Sequence, residues 1–213
     1  MSAPPISGSD PEARAERLAR EEAMARAAGW RGADLAFERL TEAGCAALHG
    51  GDLPAAIAAF GKARRLAFWR IARSDPRHAT SLANAAMAAR LAGREARARR
   101  LYAAARRRWA AVPGRVAAVE PARRARSSLF HLRMEARHWD TYVANQRKRL
   151  AGFVADADAA LAALAESRRP PARLYTRWRG EKPPVFDEMR KLMSAALLIA
   201  APPEDRPEDR LEA

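Results

Sequence analysis

The densest set of potential ligands in this 213-residue chain is HLRMEARH, where His131, Glu135 and His138 recur at steps of four and three. That spacing puts them on one helix face. Glu135 to His138 also matches the carboxylate–histidine step used in di-iron helical bundles, which need a second such pair on a facing helix. Only Asp75 and His78 approximate one, and they straddle Pro76. With four histidines in all, the cluster reads as a surface ion pair and no metal is expected. Cys45, the single cysteine, lies in AGCAAL with no activating base nearby, so it is expected to be a buried thiol acting as a small apolar side chain. No Ser–His–Asp set, phosphate-cradling glycine loop or cysteine pair is visible; neither catalytic residues nor a cofactor are expected.

What the chain carries in quantity is positive charge. Its formal net charge is +14, and residues 90–150 hold 17 basic against 4 acidic side chains. Residues 1–89 are net +2 and residues 151–213 net −1. Only four of the 39 basic residues are lysine, a skew that fits codon bias in a GC-rich genome. Such bias explains arginine over lysine; it does not explain why acidic residues thin out in the middle third. The rigid guanidinium fork pairs with carboxylate or phosphate. An acidic protein partner is therefore expected, with nucleic acid as the alternative. In that alternative the basic surface of Arg97, Arg100, Arg107 and Arg108 would neutralise phosphates, and Trp109, Tyr142 and Trp178 would stack on bases. No motif for reading base edges is present.

Helices must position these groups. Apolar residues make up 49% of the chain, dominated by alanine, and no segment alternates with period two for long. The longest apolar run, around Met193 to Ala201, is far short of the ~20 residues that span a bilayer. The first ten residues lack the basic start and apolar core of a secretory leader, so a reducing bacterial cytoplasm is the expected setting, with no membrane contact. Capping and breaking signals predict helices near 10–28, 34–49, 54–72, 78–91, 94–112, 121–138, 141–166 and 184–200. Residues 1–9 and the acidic, Pro-rich 201–213 are expected to be disordered.

Within this pattern GDLPAAIAAFGKA (51–63) is echoed 42 residues later by GREARARRLYAAA (93–105). Leu40, Ala43, Gly44, Gly51, Ala56, Phe60 and Ala63 correspond to Leu82, Ala85, Ala86, Gly93, Ala98, Tyr102 and Ala105. The two units resemble tetratricopeptide repeats. The 42-residue period, longer than the usual 34, is similar to the kinesin light chain type over residues 34–112. The resemblance implies an all-α fold of tetratricopeptide-like antiparallel hairpins stacked in a right-handed superhelix. Residues 10–200 form one repeat domain, with 121–166 as a degenerate hairpin and 184–200 as a capping helix. Ala47 and Ala89 depart from the family's tall aromatic.

In such a stack the first helix of each unit lines a concave groove. The resemblance places Glu38, Thr41, Cys45, Leu48 and His49 there from the first unit, and Thr80, Asn84, Met87, Arg90 and Leu91 from the second. Asn84 carries both a donor and an acceptor for an extended main chain. The expected function is a non-catalytic scaffold, an adaptor or assembly factor, that binds an acidic segment. The acidic tail is expected to screen the basic face until a partner displaces it.

Overall fold

A computed structural model describes residues 11–121 and 129–202, without the side chains of Pro11 and of 129–136. All regular structure among them is helical: α1 (Pro11–Ala27), α2 (Gly32–His49), α3 (Leu53–Arg70), α4 (Arg77–Leu91), α5 (Glu95–Trp109), the short α6 (Val112–Val116), α7 (Leu129–Ala165), α8 (Leu174–Glu181) and α9 (Glu188–Leu197). The segments expected to be disordered, 1–9 and all but the first two residues of 201–213, lie outside the described residues.

Helix α2 packs along α3, α4 along α5, and α3 against α4. Both hairpins turn by the same chemistry. Gly51 sits at φ 81° and Gly93 at φ 69°, a backbone region that glycine enters without a Cβ penalty. In the first turn the Gly51 N–H donates to Leu48 O and the Asp52 N–H to Ala47 O. The second repeats this 42 residues on, Gly93 to Arg90 O and Arg94 to Ala89 O. This pair of bonds satisfies the last free carbonyls of each helix. Asp52 then caps α3 by accepting the Ala55 N–H at 3.0 Å, whereas Arg94 at the equivalent place gives no side-chain cap.

Close approach within the first hairpin depends on Gly44. A Cβ there would lie 2.5 Å from the Phe60 ring. Phe60 and Tyr102 are both fully buried in one apolar cluster, as are Ala56, Ala98 and Ala105. That cluster runs on through Leu150, Phe153, Leu161 and Trp178 to α9, which packs against α4, α7 and α8. The buried Arg77 ties α4 to α2: its guanidinium donates to Asp34 at 2.6 Å and to Asp75 at 2.7 Å. No helix among the described residues is long and apolar enough to cross a membrane.

Four segments differ from expectation. The hairpin expected over 121–166 is a single unbroken helix from Leu129 onward, because neither Pro nor Gly interrupts residues 129–151. It stops at Ala165, and Ser167 in the turn that follows adopts φ 57°, a conformation unusual outside glycine. The capping helix is shorter than 184–200: Asp187 caps it by accepting the Arg190 N–H at 2.8 Å, and residues 198–200 leave it. Neither the short α6, which forms where the chain was expected to break, nor α8 was among the expected elements.

Candidate functional site

The α4 residues expected to face a partner contact the chain's own C-terminal segment instead. Thr80 Oγ1 donates to Ala195 O. Asn84 Nδ2 donates to Leu198 O at 2.9 Å, and its Oδ1 accepts the Ala200 N–H at 2.8 Å. From α2, the Cys45 thiol reaches Leu198 O at 3.6 Å. Met87 is buried and Leu91 packs partly buried on the same cluster. One amide side chain thus holds both a carbonyl and an N–H, those of the turn and coil that follow α9, where Asn84 was expected to hold a partner's extended main chain.

The remaining groove residues have local roles. Thr41 Oγ1 donates back to Phe37 O of its own helix at 2.7 Å. Glu38 is buried and faces Arg190, and Leu48 is core. His49 is exposed with its ring 5.2 Å from that of Tyr175; desolvation lowers its pKa, and the charges of Arg173 and Arg179 lower it further. Arg90 binds Glu95 at 3.0 Å, Leu164 O at 2.9 Å and Ser167 Oγ at 3.0 Å, and lies over the Tyr102 ring. It fastens the α4–α5 turn to the end of α7. The Glu95 hydrogen bond is the main cause of its raised pKa.

Closure of the groove is strong. Leu192, Met193, Leu197, Leu198 and Ile199 are all 5% exposed or less. At about 1.5–3 kcal/mol for each side chain removed from water, their burial amounts to roughly 10 kcal/mol. Arg190 adds a buried fork on Glu38, with Nε–Oε1 and Nη2–Oε2 both at 3.0 Å, a bond to Pro183 O at 2.8 Å, and the Phe186 ring 4.0 Å away. Burial pushes the Glu38 carboxyl up and Arg190 opposes it. Since a whole domain is worth about 5–15 kcal/mol, extracting this segment would amount to unfolding. The groove is part of the core.

The outer face stays open. On α5, Ala98, Tyr102, Ala105 and Trp109 are fully buried, while Arg97, Arg100, Arg107 and Arg108 are exposed. Arg108 donates to Arg73 O at 3.1 Å; none of the four has a carboxylate partner among the described residues. Two of the three aromatics expected to stack on bases are unavailable, because Trp109 and Trp178 are fully buried. Tyr142 is half-buried against Trp139. Of the HLRMEARH set, the side chains of His131 and Glu135 lie outside the described residues and His138 is exposed. Among the described residues no three His, Cys, Asp or Glu gather as metal ligands. Cys45 is buried, with its thiol pKa pushed up by desolvation, which suppresses the reactive thiolate.

Sequence reasoning missed two features. The buried guanidinium groups of Arg77 and Arg190 went unremarked in the sequence. Phe68 and Trp69 read as an extension of α3, yet they stand 58% and 76% exposed. No family model matches the chain, and neither curated proteins nor solved structures give a match.

Proposed function

We propose that this chain is a non-catalytic interaction scaffold, an adaptor or assembly factor of tetratricopeptide-like hairpins. It closes its own concave side and presents a basic outer face to an acidic partner protein in the cytoplasm. The observation that carries the reading is the division of α5: Ala98, Tyr102, Ala105 and Trp109 are buried on one face, and the other bears exposed arginines with no carboxylate partner among the described residues. The identical turns at Gly51 and Gly93, one period apart, support the repeat assignment. The grip of Asn84 on main-chain groups supports it too, as a peptide-holding position turned to internal use.

Single exposed ion pairs are worth only ~0–1 kcal/mol, so recognition needs several arginines acting together. The test is affinity capture from nuclease-treated extract at moderate salt, with the wild-type chain and a variant carrying Arg97→Glu, Arg100→Glu, Arg107→Glu and Arg108→Glu. The scaffold reading expects a discrete protein retained by the wild type and lost by the variant. Nucleic acid as the sole captured species before nuclease treatment, released between low and moderate salt, would refute it.

A further inference from the structure

The feature that the scaffold reading leaves unused is a trough of about 540 Å³ between α3 and the outer side of α4. Its floor is Ala85, Ala88, Ala89 and Ala92, spaced so that all four share one face of α4, opposite the stripe that holds the C-terminal segment. Ile57 and Gly61 of α3 continue it, and Phe68 and Trp69 wall its end. These two rings meet edge to face at 4.9 Å and 88°, and both are mostly exposed. Two exposed rings beside an alanine floor, on an otherwise arginine-covered face, form an apolar surface that a partner could cover.

We propose that this trough docks an acidic amphipathic helix of a partner protein, with Trp69 as the anchor and arginines as the clamp. This deepens the scaffold reading and rests on it. The alanine floor lets a helix approach closely, and large side chains at i, i+3 and i+4 of that helix fill the space beside the rings, the helix-in-groove mode. Arg64, Arg65, Arg94 and Arg97 ring the trough, no carboxylate lines it, and none of the four has an ion-pair partner among the described residues. Carboxylates flanking the apolar stripe of the incoming helix supply the missing countercharge. An exposed tryptophan beside arginines is also the composition of interface hot spots.

Two other occupants fit less well. Single-stranded nucleic acid wants parallel faces for stacking, whereas these rings are perpendicular and the floor offers no hydrogen-bonding side chain. The chain's own residues 203–213 contain two prolines and one large apolar residue, Leu211, too little for an amphipathic helix. They also follow Pro202, which lies beside His49 and Tyr175 on the groove side.

The test is fluorescence anisotropy with a labelled designed peptide of about 18 residues, long enough to be helical. Leucine and phenylalanine form one face and glutamate the flanks. Its glutamate-to-lysine counterpart and a single-stranded oligonucleotide of about 20 nucleotides are run beside it, all at about 150 mM salt. The expected result is binding of the acidic peptide at least about tenfold tighter than the lysine peptide. Trp69→Ala, and separately Arg64→Glu with Arg97→Glu, should each weaken it about tenfold with unchanged thermal unfolding, while Arg107→Glu with Arg108→Glu leaves it intact. Acidic-peptide binding that ignores Trp69→Ala but falls with Arg107→Glu and Arg108→Glu would overturn the trough and leave the scaffold reading standing. Failure of the acidic peptide to bind would also overturn the trough, while the capture experiment decides the scaffold reading independently. Preference for the oligonucleotide, lost in Trp69→Ala, would overturn both.

Discussion

Replacing Asn84 by leucine should detach the C-terminal segment from α4 with little change of volume. In the native chain the amide serves Leu198 O at 2.9 Å and the Ala200 N–H at 2.8 Å, both buried. Leucine satisfies neither: the Ala200 N–H loses its partner and Leu198 O keeps only the weak Cys45 thiol, so at about 1–3 kcal/mol for a buried group left unpaired the loss is about 1–6 kcal/mol. Against a total of about 5–15 kcal/mol, that is enough to shift a denaturation midpoint far outside error. Urea unfolding followed by far-UV circular dichroism measures the loss, and native-state hydrogen exchange at the Ala200 amide locates it. Thr41→Val is the control. The Thr41 hydroxyl only bonds back to Phe37 O, so its loss should change stability by less than about 1 kcal/mol. A loss below about 1 kcal/mol in Asn84→Leu, with Ala200 still protected, would show that the clamp is not what holds the segment.

Gly44→Ala should destabilise the chain although alanine gains about 1 kcal/mol of helix propensity over glycine. The new Cβ would meet the immobile Phe60 ring at 2.5 Å, and such overpacking costs about 1–3 kcal/mol. Adding Phe60→Leu should recover part of the loss, giving a favourable coupling in a double-mutant cycle; strict additivity would refute the contact. Acid sensitivity should trace to Asp34 and Asp75. Burial opposes their ionisation, but Arg77's hydrogen bonds and charge outweigh it at both carboxyls, joined at Asp34 by the Arg31 N–H, and hold them below the usual range. A lowered folded pKa gives stability that is present above about pH 4 and lost as pH falls further. In Asp75→Asn that acid limb of the urea midpoint against pH should flatten, and an unchanged limb would place the acid sensitivity elsewhere.

The hairpins were legible in the sequence because their determinants are local. Gly51 and Gly93 mark the turns, Pro54 marks the first turn of α3, and the small residues Gly44 and Ala56 mark a close approach. The face of α4 carrying Thr80, Asn84 and Met87 was legible for the same reason, since it follows from helical spacing alone. Its occupant was not. MSAALLIAA reads as part of a cap, but its exact seat is set by atoms more than a hundred residues away. Arg77 and Arg190 were illegible because a buried guanidinium needs Asp34 and Glu38 brought in from another helix. The continuity of α7 through Asp140 was missed because a polar stretch between apolar ones imitates a turn when no breaker is present.

The hydrogen bonds that seal α4 join residues 114 to 116 positions apart, and the later partner is always the one nearer the C-terminus. During synthesis, α2 to α5 therefore leave the ribosome before residues 188–200 exist. Until those residues arrive, the inner faces of both hairpins stand bare, and contacts of such long sequence separation form slowly. A nascent chain stalled before Glu188 offers chaperones and proteases the apolar surface that the finished protein hides.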